Sequence, residues 1–265
     1  MRAELVRRVV RERRKGILGW AAGIIGIIAV QVSVYPTIRE SQKGWSELTK
    51  QFPEAFQKIF RMSDYTSVAG YLTTELFSLV LPLIFVGVGA TWGSRSTAEE
   101  EEAGTADVLM SLPVSRRSIL TSRLVATHSV LAGLATVAVV ALRIGTTATD
   151  MSIGTMSLIQ GAVALVLLGC VFSSLALAVG SATGRRGVAL GSAIATAIAA
   201  FVLYSLAPLV GTFDAILPLN PFQWTLGHAP LIDGLDPWYA IAASGAAVAL
   251  TVFSARAFDR RDIRS

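Results

Sequence analysis

The chain has 265 residues, of which 53% are hydrophobic and only 15% charged, and its mean hydropathy is +0.59. A soluble domain carries about 25% charged residues, so this composition argues against an ordinary soluble protein. The net charge of +5 does not indicate a nucleic-acid partner, because the apolar composition leaves no soluble basic face to bind one. The single cysteine, Cys170, lies in an apolar stretch and predicts neither a disulfide framework nor a cysteine metal site.

Six stretches of the chain contain no charged residue, and each is long enough to cross a membrane as a helix, which takes roughly 20 apolar residues. These stretches are 16–38, 76–94, 124–142, 151–184, 187–213 and 237–255. Helices are expected because lipid offers backbone groups no water to bond. The sequence therefore predicts an all-α integral membrane protein, with residues 1–265 forming one domain. Its six transmembrane helices are predicted at about 16–36, 72–94, 119–142, 157–181, 188–208 and 237–256.

The distribution of basic residues predicts the orientation of these spans. Segments 1–15, 95–123, 185–186 and 256–265 hold most of the 23 Lys and Arg residues, and basic segments remain in the cytosol. Both termini are therefore predicted to be cytosolic, in a bacterial-type cytoplasmic membrane. A cleaved signal peptide is disfavoured, because the first apolar stretch is too long and no small-x-small site follows it.

Three further segments are predicted to lie at the membrane surfaces. Residues 1–15 combine a narrow apolar stripe with many Arg, which predicts a surface helix on the cytosolic side, although a simple basic anchor fits equally well. The outer segment 39–70 has aromatic residues at helical spacing on both sides of Pro53 and predicts two short amphipathic helices. The outer segment 213–238, rich in Pro and Trp, predicts a re-entrant or interfacial structure.

One dense polar segment, residues 96–117, interrupts the apolar stretches on the predicted cytosolic side. Thr97 and Glu100 have the spacing of a capping box, which would place four carboxylates in the first turn of a helix. Gly104 is expected to break that helix, and Thr105 can cap a second, short one that Pro113 ends. The residues concerned are Glu99, Glu100, Glu101, Glu102, Gly104, Thr105, Pro113 and Arg116.

The short second helix would carry an apolar tip in the cytosol. Leu109, Met110 and Leu112 form this tip, and an exposed apolar tip beside charges indicates a surface that docks into a partner's groove. A solvated charge run that merely joins two spans would explain the carboxylates alone. It does not explain the apolar tip, so docking is the favoured interpretation.

The pattern Glu-Glu-x-x-Gly-Thr-x-x-x-Leu-x-x-x-Pro-Val-Ser-Arg, read from Glu100 to Arg116, resembles the first cytosolic loop of ABC-2 type transporter permeases. The resemblance implies that this loop is a coupling helix that contacts a separate ATP-binding subunit. It also implies that two permease copies or paralogues form one exporter, with the substrate pathway between the second and fifth spans. Glu75, Phe77, Pro82 and Tyr204 are the candidate pathway residues in those spans.

Two of these pathway candidates can also be interpreted from the residues alone. Pro82 is expected to kink the second span and to free a backbone carbonyl. Glu75 lies at the outer edge of that span, where an interfacial carboxylate that faces water is the favoured interpretation. A buried carboxylate would instead suggest contact with a substrate or a proton.

The chain is not expected to hydrolyse ATP itself. A phosphate-binding loop needs Gly directly before its Lys, whereas the four lysines follow Arg14, Gln42, Thr49 and Gln57. No cofactor or metal is therefore predicted in this chain, and ATP and Mg²⁺ are expected on the partner ATPase. The expected partners are this ATPase, a second permease subunit and membrane lipid.

Three alternatives remain at this stage. An intramembrane hydrolase could use a pair such as Ser192 and His128, although no nucleophile motif surrounds the serine. A passive channel is disfavoured because no charged or carbonyl-rich filter sequence is present. The third alternative is a membrane subunit that transports nothing itself. The predicted cargo, an amphipathic or hydrophobic compound, is inferred only from the scarcity of charges within the spans.

Overall fold

The computed structural model describes residues 7, 10–41, 65, 67–102 and 116–260, and these residues form helices and connecting turns without any β-strand. The α-helices are α1 (Arg14–Glu40), α2 (Val68–Leu72), α3 (Val80–Glu102), α4 (Arg116–Ala148), α5 (Thr155–Thr183), α6 (Arg186–Leu206), α7 (Pro221–Leu226) and α8 (Pro237–Arg260). Two π-helices are π1 (Thr73–Phe77) and π2 (Ala229–Asp233), and three short 3₁₀ turns lie at Ala207–Leu209, Gly211–Ala215 and Leu217–Leu219.

Five of the described helices, α1, α4, α5, α6 and α8, are long and apolar enough to cross a membrane. The predicted helical membrane protein is therefore confirmed at this level. A sixth crossing requires that the bent pair formed by Val68–Phe77 and Val80–Ser96 be counted as one span. Most of the predicted surface helix 1–15, and most of the outer segment 39–70, lie outside the described residues.

The bent pair has a local cause in the sequence. Its two halves meet at an angle of 40°, at the break between Phe77 and Val80. Pro82 is the third residue of α3, and because it has no N–H it cannot bond the carbonyl one turn earlier. The kink that Pro82 predicts is therefore present, and it lies one turn before the proline.

Helix α5 is the central helix of the bundle. Of its most apolar 18 residues, 67% are buried, against 17% for α1. α3, α4, α6 and α8 all pack against it. Its aromatic residue Phe172 is fully buried and meets Phe222 of α7 at a ring distance of 5.9 Å.

The two ends of α4 identify the two ends of the bundle. At the Arg116 end, Leu120 of α4, Leu177 of α5 and Phe258 of α8 form one buried cluster. At the Ala148 end, the Nη1 of Arg39 donates to the carbonyl of Asp150 over 3.4 Å, which brings the end of α1 beside the end of α4.

The proline-rich segment between α6 and α8 folds into short helices at the Ala148 end. The side chain of Asn220 makes two hydrogen bonds that fix this segment. Its oxygen accepts from the N–H of Phe222 over 2.9 Å, and its amide donates to the carbonyl of Ala200 in α6 over 2.7 Å. Asp236 caps α8 by accepting from the N–H of Trp238. This segment is thus fixed to two of the apolar helices.

Candidate functional site

The polar segment 96–117 begins as the last turns of α3. The helix continues without a break to Glu102, so Thr97 and the four glutamates that follow it are helical. The predicted capping box at Thr97 and Glu100 is therefore wrong, because an N-cap residue has non-helical backbone. Ala and Glu are strong helix formers and no breaker precedes Gly104, so the membrane helix extends through them. The acidic run thus lies in the last described turn of α3 and not in the first turn of a new helix.

The rest of the predicted docking surface lies mostly outside the described residues. Arg116 is the first residue of α4. Gly104, Thr105, Leu109, Met110, Leu112 and Pro113 lie outside the described residues. The structure therefore fixes the two helices that enter and leave this loop, α3 and α4.

A hydrogen bond ties these two helices together next to the loop. The Nη1 of Arg123 in α4 donates to the backbone carbonyl of Ser96 in α3 over 2.8 Å. Ser96 is buried, and its hydroxyl donates to the carbonyl of Trp92 over 2.9 Å. A charged donor of this kind makes one of the stronger hydrogen bonds in proteins, so α3 and α4 are held together about two helical turns from Glu102 and Arg116.

The N-terminal segment also contacts α3 near the loop. The guanidinium carbon of Arg13 lies 5.2 Å from the centre of the Trp92 ring, within the range of a cation–π interaction. The Trp92 side chain is buried in the bundle. The segment before α1 and the helix that leads into the loop are therefore in direct contact.

α3 is packed against α5 backbone to backbone. A Cβ added to Gly89 would lie 2.4 Å from the carbonyl oxygen of Gly169, and one added to Gly93 would lie 2.2 Å from that of Ser173. Gly89 and Gly93 form a Gly-x-x-x-Gly motif, which allows helices in membranes to approach closely. Gly187 and Gly191 have the same spacing, but an added Cβ at either would meet nothing within 4 Å.

The pathway candidate Glu75 lies in π1 and bonds toward α1. Its carboxylate accepts from the hydroxyl of Tyr65 over 2.8 Å and from the side-chain amide of Gln31 over 3.2 Å. The hydroxyl of Tyr71 donates to Gln31 as well. Glu75 is half-buried, so it is neither the fully exposed carboxylate nor the deeply buried one that the sequence left as alternatives.

Two other pathway candidates share a small cavity. Phe77 and Tyr204 line one cavity of about 10 Å³, together with Thr73, Ser78, Ser205, Leu226 and Pro230. A cavity of this size holds about one water molecule. Pro82 is buried near the start of α3. The structure thus brings Phe77 and Tyr204 together, and Phe77 also belongs to the buried cluster that contains Tyr65 and Tyr71.

The histidine considered for a hydrolase contacts a different serine from the one predicted. The Nε2 of His128 lies 3.5 Å from the Oγ of Ser173, whose hydroxyl also donates to the carbonyl of Cys170 over 2.9 Å. No contact between His128 and Ser192 is found among the described residues. Ser173 lies at the close crossing of α3 and α5, so its surroundings are those of a packing residue. Within the described part of the chain, no group of three or more His, Cys, Asp or Glu could hold a metal ion.

Comparison with known proteins identifies the family. The family model described as ABC-2 family transporter protein matches residues 5–263, which is nearly the whole chain. A search of curated proteins found no match. The matched range includes all the apolar helices and the segment 96–117, in agreement with the resemblance carried by that segment. The chain is therefore a membrane protein that belongs to the ABC-2 family of transporter proteins.

Proposed function

We propose that this chain is the permease subunit of an ATP-binding cassette exporter, and that separate ATPase subunits dock on the loop between α3 and α4. Two permease copies or paralogues form one pathway for an amphipathic or hydrophobic compound. The bent pair counts as one of six spans, and both termini and the Arg116 end of the bundle face the cytosol. ATP and Mg²⁺ bind to the partner subunits, and this chain supplies the pathway.

The observation that supports the proposal is that α3, the helix before the loop, is attached both to α4, the helix after it, and to the central helix α5. The Arg123–Ser96 hydrogen bond joins it to α4, and Gly89 and Gly93 join it to the central helix α5. A rigid, closely packed element transmits a displacement instead of absorbing it. A push on the loop would therefore move α3, α4 and α5 together, and α5 packs against most of the bundle.

The docking contact itself is assigned to the apolar tip. Leu109, Met110 and Leu112 would fill a groove on the ATPase, and Glu99 to Glu102 would face basic residues at its edge. Apolar anchors in a groove contribute most of the affinity of such contacts, whereas rim charges contribute mainly to the association rate. The loop between the second and third spans would then act as the coupling helix.

Copurification with the partner ATPase tests this assignment. Leu109→Glu combined with Met110→Glu should abolish recovery of the ATPase with the tagged permease, because two charges would enter an apolar groove. The control is Ala182→Glu combined with Thr183→Glu, two exposed residues at the end of α5 and outside the loop, which should leave recovery of the ATPase unchanged. Recovery that survives the loop change but not the control change would show that the docking surface is elsewhere.

A further inference from the structure

A groove runs along the outside of the bundle between α1 and α4. Its volume of about 520 Å³ falls in the range of roughly 300–1,000 Å³ that is typical of ligand sites. Ile28 and Val32 of α1 are buried and contribute to its floor, whereas Ile25, Val140 and Ile144 are exposed along its walls. The groove therefore offers a long apolar surface to whatever surrounds the helices.

The polar atoms in the lining are already bonded. The hydroxyls of Ser33, Thr136 and Thr149 donate to the carbonyls four residues earlier in their own helices, over 2.6, 2.9 and 2.9 Å. These bonds occupy the hydrogens of the three hydroxyls, and the other side chains of the lining are apolar. The groove is thus better suited to a hydrocarbon chain than to a sugar or a peptide backbone, whose acceptor oxygens would find no donor.

The groove is at least as long as the hydrocarbon layer of one leaflet is thick. Its lining in and just after α4 extends from Thr136 to Thr149, which at 1.5 Å per residue is about 20 Å. Half of a hydrocarbon core of about 30 Å is about 15 Å. The groove reaches the Ala148 end of the bundle, so it can accept an acyl chain along its length and leave the headgroup at that end.

A positively charged side chain, that of Arg39, lies at the Ala148 end of the groove. The guanidinium of Arg39 is exposed and lies 3.4 Å from the carbonyl of Asp150, the residue after Thr149 of the lining. Guanidinium groups bind phosphate oxygens through two parallel hydrogen bonds. The carboxylates of Glu40 and Asp150 are also at this end, so a headgroup is expected to be recognised by its phosphate and not by its net charge.

We propose that the groove binds one glycerophospholipid, with an acyl chain between α1 and α4 and its phosphate at Arg39. This site is separate from the ATPase-docking loop and does not depend on the proposed transport function. The apolar lining, its saturated hydroxyls and the cation at one end are together complementary to a phospholipid. A second copy of the chain would be complementary to the apolar lining alone.

Native mass spectrometry of the purified protein, titrated with dioleoylphosphatidylglycerol, tests the site. One tight binding event is expected for the wild type. Ala29→Phe and Ala148→Phe each fill the groove from one wall, and both should weaken that event at least ten-fold. Ala249→Phe, at an exposed alanine of α8 outside the groove, should leave it unchanged.

Dioleoylglycerol, which has the same chains and no phosphate, tests the role of Arg39. Arg39→Gln should weaken phosphatidylglycerol several-fold and leave dioleoylglycerol unchanged. The proposal is overturned if the wild type shows only a graded series of weak events, or if both filling variants bind like the wild type. It is also overturned if the filling variants change the oligomeric state, because a second copy would then occupy the groove.

Discussion

Helices α3 and α1 are attached to the bundle in different ways. α3 meets the central helix through backbone atoms at Gly89 and Gly93, so almost no side chain separates the two helices. α1 is held by side chains, namely the contact of Val32 with Gly145 and the hydrogen bonds of Gln31. A groove opens beside it. The helix that leads into the polar segment 96–117 is thus the rigidly packed one, and the helix at the periphery has room to shift.

The largest expected loss of stability is at the close contact between α3 and α5. Gly93→Ala places a methyl group 2.2 Å from a backbone oxygen of Ser173, which cannot move without displacing α5. Overpacking of this kind is expected to destabilise the protein by about 3 kcal/mol. Thermal unfolding of the purified protein in detergent measures the loss. The matched control is Gly87→Ala in the same helix, where an added Cβ meets nothing within 4 Å. Equal unfolding temperatures for the two variants would contradict the close packing of α3 on α5.

A smaller effect is expected where Tyr65 donates a hydrogen bond to Glu75 of π1. Tyr65→Phe removes the hydrogen bond to the Glu75 carboxylate and should cost about 1 kcal/mol. Burial, and then the hydrogen bond to Glu75, raise the pKa of Tyr65 above its ordinary value of 10.0.

The raised pKa of Tyr65 also gives a pH dependence with a defined sign. Because the folded pKa exceeds the unfolded one, the stability contributed by the neutral phenol is complete below pH 10 and is lost as pH rises toward the folded pKa. Thermal unfolding at pH 8 and at pH 10.5 should therefore show a smaller alkaline loss for Tyr65→Phe than for the wild type. The same alkaline loss in both proteins would exclude Tyr65 as its source.

The smallest effect is expected at the contact of α1 with α4. Gly145→Ala places a Cβ 3.1 Å from a methyl group of Val32, which can move by a few tenths of an ångström. The cost is expected to be about 0.5 kcal/mol, below the roughly 1–3 kcal/mol that is typical of overpacking, because the Val32 side chain can move away. Adding Val32→Ala to the Gly145→Ala variant should remove this destabilisation, and a double-mutant cycle measures that coupling. A loss as large as that of Gly93→Ala would mean that both helices are packed with equal rigidity.

The apolar helices could be predicted from the sequence because charge-free length is a local property. The bend before Pro82 was also local, since it follows from one missing N–H. The continuation of α3 to Glu102 could not be predicted in this way. The residues from Thr97 to Glu102 suit the start of a new helix as well as the continuation of the preceding one. The buried residues Trp92 and Ser96 anchor the preceding turns in the bundle, and this packing is consistent with continuation.

The glycine pair that packs closely on α5 could not be identified from the sequence either. Gly89 and Gly93 have the same four-residue spacing as Gly187 and Gly191, so spacing alone cannot separate them. What separates them is that only the first pair faces α5 at a crossing. The partners of Glu75 were equally hidden, because Gln31 and Tyr65 belong to parts of the chain that meet π1 only in three dimensions.

The ATPase rate of the partner subunit in proteoliposomes tests the account's central claim most directly. It should be measured for the partner alone, with the wild-type chain, and with the chain carrying Leu109→Glu and Met110→Glu. The account predicts that the wild-type chain changes the rate and that the loop variant returns it to the rate of the partner alone. A rate that is unaffected by the wild-type chain would contradict coupling and would favour a membrane subunit that transports nothing itself.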